Sequence, residues 1–236
     1  MLEKLLWFPL EDFPFIIIVL IIAFSVHEFA HAYFAYKFGD DTAYKEGRVT
    51  LNPRVHLDVV GTILLIIAGF GWAKPVPVRA SRFKNPRVMS MIVSAAGPLS
   101  NLLIAFAGLV LFYFMNETGL LHAGSQGVYS ALVHFFYYLI LINLTLFVFN
   151  LIPLPPLDGY RIVSELLPLK IRYKIDQNIQ WGMLIFLLIV FIPQLRAVTL
   201  TPIMGSISDI FNALIRLVEM VFSPMDWARI TIDFFN

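Results

Sequence analysis

Residues 13–38 read FPFIIIVLIIAFSVHEFAHAYFAYKF, and this stretch indicates both the environment of the chain and its chemistry. It reaches the roughly 17–25 residues that cross a hydrocarbon core, and no convincing small-residue cleavage site follows it, so we interpret it as a membrane helix and not as a secretory leader. The run nevertheless contains His27, Glu28 and His31. Ionisable groups at bilayer depth cost several kcal/mol unless they are paired or bound to a metal.

These three residues form an H-E-x-x-H motif, from His27 to His31. Two histidines at i and i+4 lie one turn apart on the same helix face, so their ring nitrogens can reach a single zinc ion at about 2.0–2.1 Å. Glu28 is then the candidate general base. The alternative is that the three side chains satisfy one another in a polar interior. The membrane setting favours the metal site.

Composition places the whole chain in lipid. Of its 236 residues 59% are hydrophobic and 14% are charged, which lies outside the range of soluble proteins. The formal net charge of +1 gives no field that would attract nucleic acid. The chain has no cysteine, which leaves histidine and carboxylate as the strong metal ligands. We predict one integral-membrane domain over residues 1–236, with a core at about 13–165.

Further apolar runs predict an all-α polytopic membrane protein with about four to six membrane helices. Residues 88–115 and 128–151 each match the length of a span, and residues 179–192 form a shorter run. Residues 198–222 contain Asp209, Arg216 and Glu219, so this run either spans the bilayer or lies in its interface. The C-terminal membrane or interfacial helices therefore cover about residues 176–222.

A short apolar stretch at residues 59–72 predicts a different element. It contains Gly61, Gly69 and Gly71, which weaken a helix, and basic residues flank it on both sides. Cytoplasmic loops carry an excess of Lys and Arg, so both flanks are expected on the cytoplasmic side. We predict a short re-entrant or β element between the first and second core helices, where it would line a protein-covered cavity.

The same rule orients the remaining helices. Lys170, Arg172 and Lys174 mark a cytoplasmic loop, whereas residues 116–127 contain no Lys or Arg. The first core helix (residues 13–38) and the third (residues 128–151) then both run from the outside to the cytoplasm. This topology brings the two histidines to the depth of Asp158, which directly follows the third core helix, and it predicts an active site toward the cytoplasm.

Asp158 is the best candidate for a third ligand, because a catalytic zinc usually has three protein ligands and one open position. It lies in the segment NLIPLPPLDG at residues 150–159, where prolines are expected to end the helix and Gly159 to supply an unusual backbone angle. The alternative is an ordinary turn or helix-capping aspartate.

Two polar residues have open roles. Asn143 lies two helical turns before Asn150, so it either lines a substrate groove or bonds a neighbouring helix. His56 either reaches the metal or a water path, or bonds backbone as a structural histidine, and the structural role is favoured.

Five segments in order resemble a known family: HEFAH at 27–31, NPRVHLD at 52–58, GWAKPVPV at 71–78, AGPLSN at 96–101 and NLIPLPPLDG at 150–159. Together they resemble the site-2 protease family of intramembrane zinc metalloproteases, in its compact, mostly prokaryotic branch without a PDZ or CBS domain. The ordered combination is much more specific than either metal motif alone. One departure is Tyr160, where the family often has a second glycine.

The resemblance implies that His27, His31 and Asp158 hold one Zn²⁺ per chain and that Glu28 is the base. It also implies that Asn150 positions the substrate or stabilises the oxyanion. The substrates would be membrane proteins, hydrolysed at peptide bonds in or near their transmembrane segments. The resemblance also implies a bacterial or archaeal cell membrane as the location. Residues 46–52 would form an edge strand that pairs with the unwound substrate.

The alternative function is a zinc-binding membrane protein without proteolytic activity, or a metal transporter. A transporter would be expected to carry ionisable residues along several helices, whereas this chain concentrates them at one depth. The sequence does not specify a substrate or an oligomeric state.

Overall fold

The computed structural model describes residues 9–68, 71–227 and 230, and this part of the chain is helical without a β-strand. Three short 3₁₀ turns lie at Leu10–Asp12, Ala80–Arg82 and Leu120–His122. The α-helices are α1 (Phe13–Lys37), α2 (Thr42–Lys45), α3 (Pro53–His56), α4 (Val59–Ala68), α5 (Pro86–Glu117), α6 (Gln126–Asn150), α7 (Asp158–Leu166), α8 (Leu169–Asp176), α9 (Ile179–Phe191), α10 (Pro193–Val198) and α11 (Leu200–Val218).

Three helices in this part of the chain are long and apolar enough to cross a membrane: α1, α5 and α6. A fourth span is possible if α8 and α9, which bend by 66° at their junction, act as one. The predicted all-α architecture is therefore confirmed, and the described residues contain three or four candidate membrane spans where we predicted about four to six. By itself α9 has only 13 residues, which is short for a span.

Helix α5 is the centre of the fold, because α1, α6, α7 and α11 all pack against it. Between α1, α5 and α6 the core is formed by large apolar side chains, among them Leu20, Phe112 and Phe136. Gly108 of α5 faces Leu139 of α6, where a Cβ atom would lie 3.0 Å from the leucine side chain. Small residues of this kind let membrane helices approach closely, and association is then stabilised by packing.

Polar contacts tie the ends of the bundle together. The hydroxyl of Tyr138 donates to Asp12 at 2.6 Å, which joins α6 to the start of α1. At α11, Glu219 accepts a hydrogen bond from the Tyr113 hydroxyl at 2.8 Å, and this hydroxyl accepts one from the Trp227 indole at 2.9 Å. These bonds hold Glu219 and Trp227 against α5.

The chain before α4 contacts the chain after it. Arg82 forms ion pairs with Asp40 and Asp41, and the backbone N–H of Arg79 donates to Asp40 at 2.5 Å. Closer to α4, the N–H of Lys74 donates to the carbonyl of His56 at 2.8 Å. The two flanks of the predicted re-entrant stretch therefore meet, although residues 69 and 70 of that stretch lie outside the described residues.

The β character predicted for this region is not seen in the described residues. Most of residues 59–72 form helix α4, and residues 46–52 form turns and irregular backbone where we predicted an edge strand. Gly47 has a φ of 68°, which turns the chain, and Asn52 then caps α3 by accepting from the N–H of Arg54. These local turn and capping interactions replace a strand.

Candidate metal centre

His27 and His31 project from one face of α1 into the bundle, as their spacing predicts. Both side chains are buried, and their Nε2 atoms lie 3.0 Å apart with the rings edge to face. The two Nδ1 atoms point away from each other to separate partners. His27 Nδ1 lies 2.7 Å from Asn101 Oδ1, and His31 Nδ1 lies 2.7 Å from the Val93 carbonyl oxygen.

These partners define the tautomers. A carbonyl oxygen only accepts hydrogen bonds, so the Nδ1 of His31 donates to Val93. The Nδ1 of His27 likewise donates to Asn101 Oδ1. In a neutral imidazole the other nitrogen then has a free lone pair, so both Nε2 atoms are available as ligands and share one small space.

Asp158 completes the group from the first residue of α7. Its Oδ2 lies 3.1 Å from His27 Nε2 and 3.3 Å from His31 Nε2, although more than a hundred residues separate it from α1. Helix α6 ends at Asn150, and a turn containing three prolines leads into α7. The predicted convergence of the two histidines with the aspartate is present in the structure.

Gly159 is required for a reason other than the one we expected. Positive φ angles among the described glycines occur at Gly39, Gly47 and Gly119, so Gly159 does not supply an unusual backbone angle. Instead, a Cβ atom at this position would lie 2.2 Å from the carbonyl oxygen of Leu151. The glycine therefore lets the start of α7 pack directly on the end of α6, which holds Asp158 in place.

The separations among the three candidate ligand atoms fit one zinc ion. Tetrahedral zinc with ligands at about 2.0–2.1 Å places neighbouring ligand atoms about 3.3 Å apart. The observed separations are 3.0, 3.1 and 3.3 Å. Oδ2 of Asp158 is buried without a hydrogen-bond donor. Three electron-rich atoms at this distance repel one another unless a cation lies between them, so the donor set fits a bound metal.

Gly97 of α5 forms one wall of this centre. A Cβ atom here would lie 2.4 Å from His31 Nε2 and 2.6 Å from His27 Nε2. Because each ring is held at its Nδ1, neither can swing away to make room. Glycine at this position therefore keeps the space beside both ligand atoms open.

Glu28 is buried next to the centre and is held by a segment far away in sequence. Its Oε2 accepts a hydrogen bond from the backbone N–H of Val76 at 3.1 Å. Val76 belongs to the GWAKPVPV segment, to which we assigned no role beyond the family resemblance. Pro75 and Pro77 on either side have no N–H, so the N–H of Val76 is the donor that this short stretch can offer.

Asn150 and Asn143 lie on α6 in different settings. Asn150 is partly buried at the end of the helix, and its amide donates to the Leu146 carbonyl at 2.9 Å. Asn143 is fully buried and accepts from the Asn101 amide of α5 at 2.9 Å. This contact corresponds to the second role considered for Asn143, a bond to a neighbouring helix.

His56 has a structural contact, the role that the sequence favoured. Its Nε2 lies 2.7 Å from the carbonyl oxygen of Thr50, to which it donates, and its own carbonyl accepts from Lys74. Burial lowers the pKa of His56 below its ordinary value of 6.5, and the positive charge of Arg48 lowers it further. His56 is not part of the group of three ligand atoms.

Comparison with known proteins agrees with this geometry. A model described as peptidase family M50 matches residues 119–192, which include Asp158. A Bacillus subtilis (strain 168) protein named "Putative zinc metalloprotease YwhC" is 46% identical over 226 residues, or 95% of this chain and 100% of the relative. The chain belongs to peptidase family M50, the site-2 protease family.

Two further relatives, both named "Putative zinc metalloprotease Rip2", are less similar to the chain. Rip2 of Mycolicibacterium smegmatis is 30% identical over 181 residues, which cover 75% of this chain and 66% of the relative. Rip2 of Mycobacterium tuberculosis (strain H37Rv) is 32% identical over 176 residues, covering 73% and 64%. No solved structure matches the chain.

Membership of the site-2 protease family identifies this chain as an intramembrane metalloprotease of the site-2 protease type, with Zn²⁺ as its cofactor.

Asn101 is the site residue that sequence reasoning missed. It lies in the AGPLSN motif, and its bond to His27 could have been inferred because a histidine that is a candidate metal ligand needs a partner at its second nitrogen.

Proposed function

We propose that His27, His31 and Asp158 hold the zinc ion, that Glu28 is the general base, and that the substrates are transmembrane segments of membrane proteins. The observation that carries this proposal is the separation of 3.0–3.3 Å among the three candidate ligand atoms, with Glu28 buried in the same turn of α1 as His27. A purely structural zinc site is closed by four protein ligands, whereas three candidate ligands are brought together here, which leaves a position for water.

Each residue of the proposed site has a separate role in the hydrolysis. Zinc bound by these ligands would lower the pKa of water and polarise a carbonyl group. The carboxylate of Glu28 takes a proton from the attacking water and then delivers it to the leaving nitrogen. Its Oε2 is held by Val76, so Oε1 is the atom left to face the water. Asn150, at the end of α6, positions the scissile carbonyl or stabilises its oxyanion.

Burial of the centre constrains how a substrate enters. His27, Glu28 and His31 are only 7–8% exposed, and a helical substrate hides its carbonyl groups in internal hydrogen bonds. The substrate segment therefore has to unwind locally before its carbonyl group can reach the metal.

We further propose that residues 59–72 form a re-entrant element on the cytoplasmic side. Helix α4 has 10 residues and is thus about 15 Å long, half of a hydrocarbon core of about 30 Å. The ion pairs of Arg82 with Asp40 and Asp41 support this, because they join the chain before α4 to the chain after it. The basic residues on both flanks favour the cytoplasmic side.

In this proposal residues 1–236 form a single membrane domain in a bacterial or archaeal cell membrane, with its catalytic core at about 13–165. Additional spans come from the segments after α7. The bent pair of α8 and α9 would be one of them.

The test is cleavage of tagged single-span proteins by the purified chain in liposomes, with Glu28→Gln as the matched inactive variant. We expect cleavage by the wild type alone and loss of cleavage after zinc chelation. If the wild type retains zinc and cleaves no member of a broad substrate panel, or if Glu28→Gln cleaves equally well, the proposed function is wrong.

A further inference from the structure

A line of buried polar side chains crosses from α6 through α5 to the metal centre. Asn143 and Asn101 are both completely buried, and membrane helices rarely bury two amides without a function or a partner. They bond to each other at 2.9 Å, and Asn101 bonds to His27 at 2.7 Å. The hydrogen bonds of Asn143 itself go to Asn101 and to the Leu139 carbonyl, and neither partner is a candidate ligand.

The Leu139 carbonyl, at the end of this line away from His27, fixes the direction of each hydrogen bond in it. The Leu139 carbonyl can only accept, so Asn143 turns its Nδ2 to it, at 2.8 Å. The Oδ1 of Asn143 is then left to accept from Asn101 Nδ2. This in turn leaves the Oδ1 of Asn101 to accept from His27, which requires the proton of that ring to be on Nδ1.

We propose that Asn143 is a positioning residue for the metal: through Asn101 it fixes the tautomer of His27 that leaves Nε2 free to bind zinc. His31 provides the contrast within the same centre, because its Nδ1 is bonded directly to a backbone carbonyl and needs no side chain to set its tautomer. The inference rests on the proposed role of His27 as a ligand.

Loss of Asn143 releases the Asn101 amide. The remaining protein acceptor for Asn101 Nδ2 is the Ala23 carbonyl at 3.4 Å, a much longer contact than the 2.9 Å bond it makes to Asn143. Asn101 can then turn its NH₂ group toward His27 Nδ1. That arrangement requires the ring proton on Nε2, where it blocks the metal.

The experiment is a double-mutant cycle on the full-length protein, with the Kd for zinc measured by chelator competition. We expect Asn143→Leu and Asn101→Leu each to weaken zinc binding by roughly ten- to a hundredfold, the usual effect of losing such a partner. Because Asn143 acts through Asn101, the double variant should bind no more weakly than Asn101→Leu alone. Asn101→Asp, which keeps an acceptor for His27, should restore most of the affinity.

Tyr113→Phe is the matched control, since it removes a partly buried hydrogen bond between α5 and the end of α11, about 18 Å along the α5 axis from Asn101. Its zinc affinity should be that of the wild type. Wild-type affinity in Asn143→Leu, additive losses in the double variant, or failure of Asn101→Asp to exceed Asn101→Leu would each overturn the proposal.

A second measurement needs no variant of either asparagine. In the metal-free wild type, ¹⁵N shifts of the His27 ring, assigned with His27→Gln, should show the proton on Nδ1; a proton on Nε2 would overturn the proposal. The two levels of inference remain separable. If His27→Ala retains zinc, His27 is not a ligand and the proposed function is wrong at this residue. If His27→Ala loses zinc but Asn143→Leu binds zinc like the wild type, the ligand assignment stands and only the positioning role of Asn143 is refuted.

Discussion

Glu28 of α1 accepts a hydrogen bond from the backbone N–H of Val76, 48 residues away and beyond helix α4. The bond ties the proposed base to the irregular segment at residues 71–79, which follows α4 in the chain. It also uses one carboxylate oxygen and leaves the other available to a water molecule. The orientation of the base therefore depends on the packing of a segment that contains no catalytic group itself.

The first prediction concerns Glu28→Gln. Glutamine retains an oxygen that can accept from Val76 but lacks a basic carboxylate, so zinc content should stay unchanged while turnover falls by roughly two to four orders of magnitude. His27→Ala is the comparison, since loss of a ligand should lower zinc content and turnover together. Elemental analysis measures the zinc content of each variant, and cleavage of a single-span substrate measures its turnover.

The second prediction tests Asp158 as a ligand. Asp158→Ala should bind zinc much more weakly, because two histidines alone leave the ion with too few protein ligands. Asp176→Ala is a matched control on the nearby helix α8, where Asp176 accepts from the Tyr160 hydroxyl. Wild-type zinc content in Asp158→Ala would remove this aspartate from the site.

The third prediction is that Gly97→Ala prevents zinc binding although it adds a single methyl group. That methyl would lie within 2.6 Å of both Nε2 atoms, and the rings are held in place at Nδ1. Gly205→Ala on α11, where the added methyl has no neighbour within 4 Å, should bind zinc like the wild type. Equal Kd values for zinc in the two variants would contradict the geometry.

The fourth prediction concerns the side of the membrane that the flanks of α4 face. The chain has no native cysteine, so Glu46→Cys, Ser81→Cys and Ser125→Cys can be labelled singly with impermeant reagents. The first two should react from the cytoplasmic side and the third from the opposite side. Reaction of Glu46→Cys and Ser81→Cys from opposite sides would show that the stretch spans the membrane.

The fifth prediction concerns pH. Burial and Arg48 lower the pKa of His56 in the folded protein, so the unfolded chain binds the proton more readily. This contribution to stability is present above about pH 6.5, the unfolded pKa, and is lost as the pH falls through the lower folded value. His56→Gln keeps a donor for Thr50, and its melting temperature should fall less than that of the wild type between pH 7 and pH 5. Parallel curves would show that His56 does not titrate in this way.

Several features could be predicted from the sequence because they depend on local patterns. The length of the apolar runs predicted membrane helices, and the spacing of His27 and His31 placed both on one helix face. The order of the motifs predicted the family, which the comparisons confirmed. Charge distribution predicted that Asp158 returns to the depth of the histidines, and the structure brings these atoms together.

Other features depend on contacts between segments far apart in sequence, which local patterns do not specify. The glycine at 159 was predicted for its backbone freedom, but its role is set by the approach of α7 to Leu151. The absence of a strand at residues 46–52 follows from local turns that compete with pairing. Only the tertiary structure decided that Val76 holds Glu28 and that Asn101 and Asn143 lie between His27 and the carbonyl of Leu139. Hydrogen bonds act over about 3 Å, so such partners are defined only once the helices have packed.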